Sequence, residues 1–159
     1  MVEGVEQRER PRRVTTVEFS VEVDAPPERV WEVTSDPANL PNWDRHVESV
    51  RVPDGGLALG VRYEVVMRFM AIRTTVDAEV LEWEPPWHAA IRLSGLLEAT
   101  VTTSIASLPF DRSVLRHEVT YRFRGPLGGI GARSIQAVGG SQLALKRGVL
   151  AQKHDIELG

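Results

Sequence analysis

Cysteine is absent from this sequence, which excludes disulfides, thiolate metal sites and a cysteine nucleophile. Long apolar runs are missing too, and none approaches the roughly 18 residues of a membrane-spanning helix. There is no excess of basic charge. The formal net charge is −3, whereas a nucleic-acid binder needs a basic face, so no nucleic-acid partner is expected. His46, His88, His117 and His154 are scattered without a second ligand at metal spacing, so no metal is expected. The glycine-rich stretch Gly125-Pro126-Leu127-Gly128-Gly129-Ile130-Gly131 matches neither the dinucleotide nor the P-loop spacing. It reads as a turn, and no cofactor is expected. No G-x-S-x-G surrounds Ser141 or any other serine, so a hydrolase nucleophile elbow is absent.

What is present suits one globular unit. With 159 residues and 42% apolar content, the chain can bury roughly 68–70% of its unfolded surface and hold a substantial core. Residues 1–13 alternate acid and base with no apolar stretch, so a disordered arm is expected there rather than a secretory signal. Residues 14–159 are expected to form a single domain, in a cytoplasmic protein.

Val14–Val23 alternates and is rich in β-branched residues, which predicts a strand. Asp24-Ala25-Pro26-Pro27 breaks it, and Pro27 suits the first turn of a helix through Val30, Trp31 and Val33. Ser35-Asp36-Pro37 restarts a second short helix through Leu40 and Trp43. Six further strands are predicted at His46–Val52, Val61–Met70, Arg73–Trp83, Trp87–Leu93, Glu98–Leu108 and Val114–Arg124. The gaps are short and carry turn residues such as Pro53-Asp54-Gly55-Gly56 and Pro109-Phe110-Asp111, which predicts an antiparallel meander. Tyr63, Val65, Met67 and Phe69 share one face, as do Leu115, His117, Val119 and Tyr121. Arg62, Arg68, Arg116 and Arg122 fall on the opposite, solvated face.

The last element is a long helix. Ile135, Val138, Gln142, Leu145, Val149, Gln152 and Ile156 lie three and four residues apart, on one side. Two of these are glutamines. A buried amide without partners costs roughly 1–3 kcal/mol, so this face suits a partly polar interior better than a sealed core. Gly139-Gly140 within the helix is unusual, since each glycine costs about 1 kcal/mol there.

Several segments together resemble the START-like (SRPBCC) superfamily, and within it the polyketide cyclase/dehydrase group. Val23-Asp24-Ala25-Pro26-Pro27-Glu28-Arg29-Val30-Trp31 is similar to the family's opening, and Asp36-Pro37 with Leu40, Pro41 and Trp43 to its next segment. Leu81-Glu82-Trp83-Glu84-Pro85-Pro86 resembles its hairpin, and the stretch from Tyr121 to Gly128 its entry to the final helix. The resemblance implies an α+β helix-grip fold. In it a curved seven-stranded antiparallel sheet wraps a long C-terminal helix, two short helices follow strand 1, and a hydrophobic cavity lies between sheet and helix. The expected partner is then an apolar small molecule, with a homodimer left open.

His117 is the sharpest chemical candidate. On an apolar stripe, a histidine is either tied into the core or poised as a general acid or base, and Tyr121 lies four residues away on the same face. Trp43, Tyr63, Met67, Phe69 and Gln142 are the candidate ligand contacts. As an enzyme, a polyketide cyclase or dehydratase would fold its substrate in the cavity, move a proton with His117 and steady oxyanion charge with Tyr121 and Gln142. As a binding protein, the same cavity would carry or sequester an apolar metabolite, including self-resistance to an enediyne-type antibiotic. Both readings stay open at the level of sequence.

Overall fold

The computed structural model describes residues 14–69, 71–95, 97–123 and 140–159. The expected arm at 1–13 and the helical positions Ile135 and Val138 lie outside them. The strands are β1 (Thr15–Val23), β2 (Val47–Arg51), β3 (Arg62–Phe69), β4 (Ile72–Glu84), β5 (His88–Ser94), β6 (Leu97–Leu108) and β7 (Arg112–Phe123). Each lies within two residues of its predicted bounds. They form one antiparallel sheet in the order β1-β7-β6-β5-β4-β3-β2. Between β1 and β2 come helix α1 (Pro27–Thr34), a 3-10 turn (Pro37–Asn39) and helix α2 (Leu40–Trp43). The last described element is the long helix α3 (Gly140–Leu158).

Local chemistry explains the element boundaries. Pro27 opens α1, and its missing N–H costs nothing in a first turn. The Asp36 carboxylate accepts from the Ala38 N–H at 3.0 Å and starts the 3-10 turn. Bulges interrupt the ladder between Val47 and Ser49 and between Val80 and Glu82. Such insertions bend a strand and increase its twist, which curves the sheet.

The inner face of this sheet carries the apolar stripes. Val23, Ile105 and Leu115 pack with Val30 of α1 and with Val149 and Ile156 of α3. The outer face is a ladder of ion pairs. Arg116 reaches Glu18 and Glu118, Arg122 reaches Glu98, Arg62 reaches Glu79 and Arg68 reaches Glu48. The predicted outward arginines are therefore paired across strands and point away from the interior.

Helix α3 is fastened at both the short helices and the sheet edge. Trp43 of α2 is buried, and its Nε1 donates to Asp155 of α3 at 2.8 Å. A Cβ at Gly148 would lie 3.4 Å from the Trp43 carbonyl oxygen, in ordinary van der Waals contact, so α3 packs directly against α2 at this position. β1 is an edge strand, which leaves carbonyls facing no neighbour. Gln142 Nε2 donates to the Glu18 carbonyl at 2.8 Å and Lys153 Nζ to the Glu22 carbonyl at 2.7 Å. Both side chains come from α3, so the helix satisfies the open edge of β1.

Candidate functional site

The β6–β7 hairpin decides which residues meet. Its loop is Pro109-Phe110-Asp111, with Leu108 paired to Arg112. Counting back along both strands pairs Ile105 with Leu115 and Thr103 with His117. Directly opposed residues in an antiparallel pair point to one face, so Thr103 stands beside His117 on the inner face. The same row continues to Phe19 on β1, to Ala89 on β5 and to Trp83 on β4.

His117 is buried, and both ring nitrogens have partners. Thr103 Oγ1 lies 2.9 Å from Nδ1, and Gln152 Oε1 lies 2.7 Å from Nε2. An amide oxygen only accepts, so Nε2 carries the proton and donates to Gln152. Nδ1 is then a bare lone pair that accepts from the Thr103 hydroxyl. Burial pushes the His117 pKa below its ordinary value, partly opposed by the bond to Gln152. The ring is therefore a neutral imidazole of one tautomer, with a donor on one side and an acceptor on the other.

Two members of this network keep unused capacity. Gln152 is only 8% exposed, its oxygen is taken by His117, and its amide nitrogen has no hydrogen-bond partner among the described residues. No fully enclosed side-chain polar atom among the described residues lacks a partner. The Gln152 amide nitrogen must then reach space that a water or a ligand can enter. Thr103 is only half-buried, and its oxygen retains lone pairs after donating to His117. One register step away, Val17, Val119, Val101 and Ile91 form a half-buried apolar row across β1, β7, β6 and β5.

The other expected site residues are dispersed. Tyr121 is on the inner face of β7, opposite Ala99, but the ring nitrogens of His117 are held by Thr103 and Gln152 instead. Tyr63 and Met67 are buried in a cluster on β3 and β4 with Val65, Val76 and Ala78. Burial raises the Tyr63 phenol to about 12, so it stays protonated and can only donate or accept as a neutral hydroxyl. Phe69 ends β3, and its side chain lies outside the described residues. Trp43 clamps α2 to α3, and Gln142 is exposed at the β1 edge.

Thr103 and Gln152 were both within reach of sequence reasoning. Gln152 is on the predicted inward face of the helix, one step from Val149. The three-residue turn at Pro109–Asp111 is enough to pair Thr103 with His117.

Two surface clefts flank this region, and neither is lined by His117, Thr103 or Gln152. One of about 370 Å³ lies over Arg92, Thr100, Thr120 and Arg122 with Tyr121 at its wall. The other, of about 410 Å³, lies between the 3-10 turn and the β2–β3 loop, lined by Ser35, Pro37, Val52, Leu57 and Trp83. Trp83 also meets Trp31 of α1 edge to face, with centroids 4.9 Å apart.

Residues 14–147 match the family described as polyketide cyclase/dehydrase and lipid transport. The chain belongs to this family. A curated relative, the uncharacterised Mycobacterium tuberculosis protein Rv1546, is 31% identical over 129 residues, spanning 77% of this chain and 90% of the relative. Among solved structures, TTHA0849 from Thermus thermophilus aligns with a TM-score of 0.71 at 19% identity, covering 89% of this chain and 97% of that one. The Zhui aromatase/cyclase from Streptomyces sp. R1128 aligns at 0.68 and 18% identity, covering 91% and 92%. A START superfamily protein from Mycobacterium smegmatis gives 0.67 and 17%, covering 90% and 97%. These likenesses establish the helix-grip fold of the START superfamily. No helix among the described residues is long and apolar enough to cross a membrane.

Proposed function

We propose that this family member binds an apolar, oxygen-bearing small molecule of polyketide type against the inner face of β5–β7 and moves a proton on it. The observation that carries this reading is the Gln152 amide nitrogen, buried on α3, without a partner among the described residues, and open to a space a ligand can enter. A purely structural glutamine would be expected to use both ends of its amide. The half-buried Val17–Ile91 row supplies apolar contact beside it, and the imidazole next to it is neutral and so able to accept a proton. The cleft beside Trp83 is the nearer opening in this reading, since Trp83 stands in the same row as Thr103, two strands or about 10 Å away. Tyr63 and Met67 then form the far wall, and Tyr121 stands beside the apolar row, two residues beyond Val119 on the inner face of β7.

A second reading, sequestration without turnover, is favoured by one specific fact. Both His117 nitrogens are already occupied, so the ring makes no direct approach to a ligand. Native mass spectrometry of the protein from its producing organism, followed by denaturing extraction, tests both readings. A co-purifying apolar mass supports binding, and incubation with its open-chain precursor separates conversion from retention. A protein that carries nothing and takes up no apolar probe would remove the proposal.

A further inference from the structure

The hydrogen-bond directions around His117 form a chain with one open end. The Thr103 hydroxyl donates to Nδ1, and Nε2–H donates to Gln152 Oε1. A ring so placed can neither take a proton directly from a ligand nor give one to it, because each nitrogen already faces a protein group. Thr103 is different. It is only half-buried, its oxygen has free lone pairs, and its neighbour on β5 is Ala89, whose side chain is a single methyl. Thr103 is thus the one member of the His117 ring's hydrogen-bonded set that touches the imidazole through a hydroxyl and is half-buried, whereas His117 and Gln152 are buried.

We propose that Thr103 is the group that meets the substrate, relaying a proton between an enolisable ketone and His117. This inference rests on the proton-moving reading above. In the forward step the substrate's α C–H bond breaks, its electron pair stays on the substrate as an enolate, and its proton goes to Thr103 Oγ1. The hydroxyl's own proton crosses the 2.9 Å bond to Nδ1. His117 becomes an imidazolium that still donates Nε2–H to Gln152, and Gln152 neither gains nor loses a proton. The reverse movement returns a proton to carbon or to a newly formed alkoxide. Gln152 is accordingly a positioning residue: it holds the tautomer that leaves Nδ1 free to accept.

The test uses 2-tetralone, a bicyclic apolar ketone, with the full chain in D2O. Proton NMR follows exchange of its α-hydrogens, and amide shifts at Val101 and Thr103 report its binding. The wild type is expected to accelerate exchange. Thr103→Val keeps the shape but loses the hydroxyl, and should reduce that acceleration by at least about tenfold, against the 10²–10⁴ that positioned proton transfer contributes. Thr103→Ser should restore most of it. In the valine variant the ¹⁵N shifts of His117 should still show a neutral ring protonated at Nε2, which a loss through displaced structure would not. Exchange by Thr103→Val at the wild-type rate would overturn the relay. So would a wild type that binds 2-tetralone without accelerating exchange, although the binding site would then stand. Absence of any shift at Val101 and Thr103 would remove the site itself and the relay with it.

Discussion

The inner face of the sheet has two halves written in the same alternating pattern but covered differently. Under α3, the buried set joins Val23, Ile105 and Leu115 of the sheet to Val30, Val149 and Ile156 of the helices. Across β2, β3 and β4, the buried set among the described residues is Val47, Tyr63, Val65, Met67, Val76, Ala78 and Val80, all from strands, with Leu40 of α2 packed at its side. The buried set of the first half is aliphatic throughout and closed between two layers. The second includes a phenol and a thioether, and the bulges beside it bend the strands. Rigid branched side chains held between layers define one packing, whereas methionine adjusts to irregular space. Among the described residues the helix-covered half is therefore where stability should reside, and the β2–β4 half is the wall that can adjust to a ligand held against β5–β7. His117, Thr103 and Gln152 lie at the helix side of that boundary.

The sharpest way to break this comparison is to truncate one side chain in each half. Leu115 is fully buried, and Leu115→Ala should cost about 3–4 kcal/mol, within the range for a leucine removed from a closed core. Met67→Ala should cost about 2 kcal/mol, at the lower end for methionine, because its surroundings can relax. Urea unfolding measures both. The methionine variant should also take up larger apolar probes than the wild type, and the leucine variant should not. Equal stability losses, with equal uptake, would erase the distinction between the halves.

A second test concerns the boundary itself. The folded-state pKa of His117 lies below its ordinary value, so the unfolded chain binds this proton more readily. Stability from the neutral, hydrogen-bonded ring is then fully present above the unfolded pKa of about 6.5 and is lost as pH falls from there through the folded pKa. Melting temperatures measured from pH 7.5 down to pH 5 should decline in the wild type. In His117→Gln that decline should be shallower, because glutamine does not titrate. The carboxylates of Glu48 and Glu157 are held low by Arg73 and Lys153 respectively, so their contributions are lost only at more acid pH. Parallel curves for the two proteins would show that the buried ring does not oppose protonation.

The strands were legible because a half-buried antiparallel sheet writes its orientation in period-two alternation, as in Leu115-Arg116-His117-Glu118. The family motifs from Val23 to Trp31 and from Leu81 to Pro86 placed the helices and hairpin correctly around them. The inward side of α3 was legible too, since Val149, Gln152 and Ile156 are all buried. Which glutamine would meet His117 was not. Gln142 and Gln152 lie on the same helical stripe, but spacing describes direction and not what the helix passes over. Near Gln142 the helix runs along the unpaired edge of β1. Near Gln152 it crosses β7 at His117. Thr103 escaped notice because a threonine among Ala99, Val101 and Ile105 looks like a β-branched strand residue. Only the hairpin register reveals its partner.

The smallest effect should come from the glutamine that the sequence reading named as a ligand contact. Gln142 is exposed, and its amide donates to the Glu18 carbonyl at 2.8 Å. The acceptor is at a sheet edge, so water can replace the amide when it is removed. Gln142→Ala should therefore cost only about 0.5 kcal/mol, the low end for an intramolecular hydrogen bond, and should leave ligand uptake unchanged. Gln152→Ala removes the acceptor for a buried Nε2–H, and should cost about 1–3 kcal/mol while altering uptake. Urea unfolding and probe titration of the two variants side by side measure this difference. Two residues of one type, ten positions apart on one helix face, would then differ because one faces an edge that water can satisfy and the other a ring that it cannot reach freely. If Gln142→Ala instead weakens ligand uptake as much as Gln152→Ala, the binding region extends to the β1 edge, and the helix side of the interior takes part as a whole.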